Sequence, residues 1–203
     1  MLTEAQVIQL REFLNNKGYC QINNILHPQL KEFLQIGAQI LSLDVISESN
    51  TKKEGITTLD LNSQSIYAPL IGENLLAYFT SIYSQISGKN LVPTYSYFRK
   101  YYKTNILIKH RDRPSCQYSA TIQIDSSEDT SWPIWVKDKV GNNVKCDTKI
   151  GDIIFYKGEE VPHWREELNY EHSSHIFLHW VDGDNPSYKD YWFDRRKRLG
   201  INK

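Results

Sequence analysis

The feature that most constrains this chain is a change of period near residue 91: apolar residues recur at helical spacing before it and alternate with polar ones after it. The two periods bury different faces, so the two parts cannot build the same kind of layer. In the first part Thr3 and Gln6 form a T-x-x-Q capping box, Val7, Leu10 and Leu14 follow at helical spacing, and Gly18 supplies a stop. Pro28 stands at a first helical turn, ahead of Leu30, Phe33, Leu34, Gly37, Ile40 and Leu41. Leu75, Phe79, Ile82 and Ile86 mark a third helix ending at Gly88, and the polar stretch Glu48–Gly55 reads as a loop. The three stripes are expected to be packing faces.

Beyond Leu91, strands are predicted at Pro93–Tyr102, Ile106–Asp112, Gln117–Asp125, Trp132–Lys137, Asn143–Thr148, Asp152–Lys157 and Ser174–Asp182. Turn residues such as Gly141-Asn142-Asn143 and Lys149-Ile150-Gly151-Asp152 favour antiparallel hairpins over crossover helices. The expected fold is mainly β with N-terminal helices, a cupin-like jelly roll. With 203 residues and 40% hydrophobic content the chain is expected to form one domain: a mostly helical flank over 1–90, a core over 91–182 and a C-terminal extension over 183–203.

Charge narrows the partners. The 24 basic and 24 acidic residues balance, so no global field favours nucleic acid or an anionic membrane, and neither is expected as a partner. The one dense basic run, Arg195-Arg196-Lys197-Arg198, has no aromatic platform for stacking bases and reads as a solvated tail or helix face. Cys20, Cys116 and Cys146 are widely spaced with no C-x-x-C, which points away from a disulfide framework or zinc ribbon. The N-terminus Met1-Leu2-Thr3-Glu4-Ala5-Gln6 lacks the features of a signal peptide, and no later run is apolar over ~18 residues. A cytoplasmic location is the expectation.

The chemistry lies in His110-Arg111-Asp112, followed 53 positions later by His163. On a strand, residues i and i+2 point to one side, so His110 and Asp112 can converge on one ion while His163 arrives from a later strand. Two imidazoles and a carboxylate form a facial triad that holds Fe(II) and leaves positions open. Ile106 and Ile108 share the face of His110, and the apolar run Ile153-Ile154-Phe155-Tyr156 precedes the turn that delivers His163. In Gln117–Asp125, Tyr118, Ala120, Ile122 and Ile124 form an apolar face opposite a polar one of Gln117, Ser119, Thr121 and Gln123. That polar face either meets solvent or lines a wet cavity beside the metal.

The stretch from Pro93 to Asp182 resembles the iron(II) and 2-oxoglutarate-dependent dioxygenases of the prolyl-4-hydroxylase-like type. The likeness rests on Tyr102 eight positions before His110, the triplet itself, Lys149-Ile150-Gly151-Asp152-Ile153-Ile154-Phe155-Tyr156, and His163 ahead of Ile176-Phe177-Leu178-His179-Trp180-Val181. The resemblance implies a double-stranded β-helix with Fe(II) on His110, Asp112 and His163, 2-oxoglutarate on the open face, O2 as co-substrate and ascorbate as a compatible reductant. It implies decarboxylation of the 2-oxo acid coupled to hydroxylation of a C–H bond; a carboxylate at 112 favours hydroxylation over halogenation. Tyr102 would bond the 2-oxo acid through its hydroxyl. The chain departs from the family at the anchor for the distal carboxylate. The basic residue expected nine or ten positions after the distal histidine is replaced by His172 and Ser173, and counting back six from Trp180 gives Ser174.

A carboxylate buried without a positive partner is unfavourable, so another residue must take the role: Arg165 or Arg113, with His172 behind them. Arg165 competes with a salt bridge to Glu166 or Glu167. The substrate expected is a small molecule or a peptide, with specificity carried by the N-terminal helices and by loops Ser126–Ser131 and Lys137–Asn143. The missing anchor also supports a different reading, a non-catalytic jelly-roll binding module with a relic or structural metal site. A metal-dependent cupin that needs no 2-oxo acid is a third.

Overall fold

A computed structural model of the chain describes residues 2–44, 58–59 and 63–201; the stretch Glu48–Gly55, expected as a loop, lies outside the described residues. Helix α1 spans Glu4–Lys17 with both hydrogen bonds of the Thr3/Gln6 capping box in place. It ends at Gly18, whose φ of 83° is the left-handed conformation glycine adopts without a Cβ penalty. Strand β1 covers Tyr19–Ile22, helix α2 Pro28–Asp44, β2 Thr58–Leu59 and β3 Gln64–Tyr67. Helix α3 runs over Leu70–Ser87 and stops at Gly88. Then follow β4 (Leu91–Tyr102), β5 (Ile106–His110), β6 (Tyr118–Ser126), β7 (Ile134–Lys137), β8 (Asn143–Cys146), β9 (Ile153–Tyr156), β10 (His163–Arg165) and β11 (His172–Asp182).

The strands form two antiparallel sheets, ordered β1-β9-β6-β11-β4-β3 and β2-β5-β10-β7-β8. This is the jelly roll the strand pattern predicts. Period two then explains the layering. Phe98, Ala120, Ile122, Phe155, Ile176, Leu178 and Trp180 face Leu14, Leu34, Leu76, Phe79 and Tyr83 of the helices, and together they form the main core. Each large apolar side chain buried there stabilises the fold by about 1.5–3 kcal/mol. The alternate residues of the same strands, among them Ser119, Thr121, His175 and His179, turn toward the second sheet. The functional groups collect in that space.

Four features differ from the sequence reading. β10 is three residues long, too short to show a period, and β1 and β3 are four-residue strands inside the region expected to be mostly helical. β5 ends at His110, so Asp112 lies just past the strand, held by its backbone N–H donating to the Gly158 carbonyl at 2.9 Å. The basic run is not uniformly solvated. Arg196 is buried, and its Nη1 meets Glu73 Oε2 of α3 at 2.9 Å. Glu73 also accepts from the Ser96 N–H and hydroxyl and from the Gly200 N–H, so the C-terminal segment is locked to α3 and β4. No helix of the described residues is long and apolar enough to cross a membrane, and all three cysteines are buried and unbridged.

Candidate metal centre

His110 at the end of β5 and His163 at the start of β10 are register partners, so neighbouring antiparallel strands set their imidazoles side by side, 4.4 Å between ring centres. His110 Nδ1 lies 2.7 Å from the Ile108 carbonyl and His163 Nδ1 3.1 Å from the Val161 carbonyl. A carbonyl only accepts, so each Nδ1 carries the proton and each Nε2 is left with a lone pair. Both Nε2 atoms lie 3.5 Å from Asp112 Oδ1. The three expected ligands therefore converge, each offering an atom within 4.8 Å of the others, as a metal triad requires. Burial acts to raise the Asp112 carboxyl, but the facing His163 and His110 imidazoles, which when protonated attract it and donate to it from Nε2, outweigh burial and hold it well below the usual carboxylate range. For His110, burial lowers the imidazole, yet the Asp112 and Ile108 hydrogen bonds leave it raised.

Support for Asp112 comes from groups the sequence reading did not assign. Ser119 donates to Asp112 Oδ2 at 2.9 Å, and His179 Nδ1 lies 2.9 Å from the same hydroxyl. Burial pushes the His179 imidazole down to about 4, so it is neutral; with the single Ser119 proton given to the carboxylate, which only accepts, the hydroxyl accepts Nδ1–H from His179. Gly158 closes the other side. A Cβ there would fall 2.3 Å from both Asp112 Oδ2 and the Cys116 carbonyl oxygen, so only glycine lets the turn approach the carboxylate. Ser119 and Thr121 are 0% and 1% exposed, which settles the two readings of the polar face of β6: it lines the space between the sheets.

Arg165, two residues beyond His163, is 1% exposed in the same space. Its guanidinium donates to the Trp132 carbonyl, lies 3.4 Å from Thr121 Oγ1 and from His175 Nδ1, and stacks 5.1 Å from the Trp132 ring centre. Among the described residues it has no carboxylate partner, including Glu166 and Glu167, and its Nε has no hydrogen bond. Burial pushes the guanidinium down to about 10, still protonated at neutral pH. A buried cation without a counter-ion is unfavourable, so this arrangement suits an anionic ligand. Tyr170, whose buried hydroxyl also lacks a partner, packs in one cluster with Tyr101 and Trp132.

The other expected cofactor contacts fall elsewhere. Neighbouring strand residues face opposite ways, and Tyr101 reaches Trp132 and His175, whereas Tyr102 is half-buried under the Lys100 amine. His172 pairs with Asp125 at 3.1 Å, and among the described residues no hydrogen bond joins it to Arg165. Arg113 sits over the Tyr95 ring at 5.0 Å, and that ring packs against His179, whereas Arg165 lies against His175. His175 and Thr121 carried no sequence motif. Their only signal was membership of a strand face that proved to point inward.

No protein-family model matches the sequence, and no curated protein matches it either. Solved structures do. A prolyl-4-hydroxylase from Pseudomonas putida matches at TM-score 0.67 and 16% identity, over 87% of this chain and 100% of that one. A prolyl hydroxylase from Trichoplax adhaerens, in complex with a hypoxia inducible factor oxygen degradation domain peptide fragment, matches at TM-score 0.67 and 14% identity, over 93% and 98%. The epimerase SnoN, in complex with Fe3+, alpha ketoglutarate and nogalamycin RO, matches at TM-score 0.73 and 10% identity, over 98% and 93%. At these identities the likeness is one of fold, and it bears out the jelly roll and the resemblance to structures of the 2OG-Fe(II) oxygenase type.

Proposed function

We propose that this chain is an Fe(II)- and 2-oxoglutarate-dependent dioxygenase that hydroxylates a C–H bond of a small metabolite or of an amino acid, free or in a peptide. One observation carries the reading: a buried guanidinium without a carboxylate partner among the described residues stands two residues past His163, in the same space as the His110, Asp112 and His163 ligands. The donor set fits Fe(II), and the orphaned Arg165 Nε fits a carboxylate at that depth. Bound together, iron and 2-oxoglutarate supply an oxidant from O2, releasing succinate and CO2.

The chain's own residues have separate tasks. His110 and His163 present Nε2 because their Nδ1 protons are committed to backbone carbonyls. Asp112 is oriented by Ser119 and by the Gly158 turn, which fixes the open face of the triad. Arg165 and Thr121 hold the distal carboxylate in place of the missing downstream cation, and Trp132, Tyr101 and Tyr170 wall that pocket from water. A relic binding module gains no support from a site that keeps all three ligands and an unpaired cation.

The test is to add Fe(II) and 2-oxoglutarate anaerobically, look for a visible charge-transfer band, then admit O2 and measure succinate. The band and succinate are expected from the wild-type chain. Absence of both would sink the proposal.

A further inference from the structure

A cavity of about 320 Å³ is lined by Arg113, Pro114, Ser115, Tyr191, Asp194 and Arg195. It is not the Arg165 pocket. Along β11, His175 marks the Arg165 end and His179 the Asp112 end, four residues or ~13 Å apart on a strand. Arg113 directly follows Asp112, and its guanidinium rests on the Tyr95 ring, which in turn packs 4.7 Å from His179. A molecule seated against Arg113 therefore lies at the Asp112 end of β11, opposite Arg165, in a cavity bordered by the residue that follows Asp112 though not by the ligands themselves.

The charge of the lining is specific. Among the described residues neither Arg113 nor Arg195 has a carboxylate partner, while Asp194 has its Oδ2 taken by the Tyr67 hydroxyl at 2.5 Å. The wall is also held in an unfavourable shape. Phe193, Asp194 and Arg195 have φ of 50°, 51° and 65°, a left-handed run that residues with a Cβ adopt reluctantly. The Tyr67–Asp194 bond on one side and the buried Arg196–Glu73 pair on the other keep the segment there and set Arg195 on the cavity. Arg113 is likewise pre-set by its contacts with Tyr95 and Cys116, its guanidinium resting 5.0 Å from the Tyr95 ring centre.

We infer that this cavity binds the carboxylate of a small organic acid between Arg113 and Arg195, and so selects an acid as the molecule presented to the metal centre. Its catalytic meaning rests on the proposed function; its binding does not. A planar carboxylate matches the guanidinium fork, and the cavity volume is in the range of small-molecule sites.

The full chain is titrated by ligand-observed NMR with a set of N-acetyl amino acids and their carboxamides, with and without saturating 2-oxoglutarate. At least one acid is expected to bind under both conditions, at least tenfold tighter than its amide. Arg113→Ala and Arg195→Ala each weaken it at least tenfold, whereas Lys197→Ala, which removes a neighbouring charge outside the lining, does not. Binding of acid and amide alike, no binding of any acid, undiminished affinity in either arginine variant, or displacement by 2-oxoglutarate overturns the inference. The Fe(II)–2-oxoglutarate band separates the two readings. Acid binding without the band removes the proposed function and leaves this site standing, and the band without acid binding does the reverse.

Discussion

Replacing Arg165 with Met should loosen 2-oxoglutarate without loosening the protein, and the two effects can be read in one thermal experiment. In the ligand-free chain the guanidinium is buried with no carboxylate partner among the described residues, and it donates to the Trp132 carbonyl and the Thr121 hydroxyl. Those bonds are worth ~1–3 kcal/mol each. Desolvating the cation costs several kcal/mol. Met removes both, so the ligand-free melting temperature should stay within a few degrees or rise.

For the ligand the sign reverses, because truncating one partner of a buried charge pair costs about 2–5 kcal/mol. Taking ~2.7 kcal/mol gives roughly 100-fold weaker binding. A ligand at 100 times its Kd stabilises by ~2.7 kcal/mol, which for a chain of this size is a shift of roughly 5–11 °C. At the same concentration the variant would sit near its own Kd, gaining ~0.4 kcal/mol, or about 1–2 °C. Scanning fluorimetry with anaerobic Fe(II) measures both quantities. An undiminished 2-oxoglutarate shift in Arg165→Met would refute the anchor, and a ligand-free melting temperature lowered by about 10 °C or more would show the guanidinium to be structural.

Other perturbations test the supports. Ser119→Ala removes the proton donated to Asp112 Oδ2 and should weaken metal binding by about 10- to 100-fold, read by metal titration, with little change in unfolding. Glu73→Ala strands the buried Arg196 and should destabilise by about 3–5 kcal/mol in urea unfolding, with Glu73→Leu/Arg196→Met recovering much of it. His110 is raised above its ordinary 6.5, so in the metal-free protein its contribution to stability is complete below 6.5 and lost as pH rises through the folded value. Metal affinity runs the other way, weakening as pH falls through that value because the ligand must be neutral; melting curves and metal titrations between about pH 5.5 and about pH 8.5 separate the two trends.

Much of this architecture was legible in local pattern. The Thr3/Gln6 capping box, Gly18, Gly88 and the strands from Leu91 onward are properties of consecutive residues, so neighbouring side chains suffice to predict them. β10 escaped because three residues cannot display a period, although it carries His163 and Arg165. The orientation of Tyr101 and Tyr102 was illegible for a related reason. Position relative to His110 does not say which face of β4 turns inward, and the pairing of β4 with β11 does. The basic run misled because charge density ignores Glu73, which lies 123 residues away in sequence.

By itself the sequence determined the kind of fold and the types of ligand: an antiparallel β region behind helices, and a histidine–carboxylate–histidine set at separations that strands can close. Only the tertiary structure decided which groups serve that set. Ser119, His179 and Gly158 around Asp112, and Thr121 and His175 around Arg165, come from separate strands and turns, without any motif of their own. The physical reason is that secondary structure follows local periodicity, whereas burial, hydrogen-bond partnership and the absence of a counter-ion are properties of the space between two sheets. That space does not exist until both have formed.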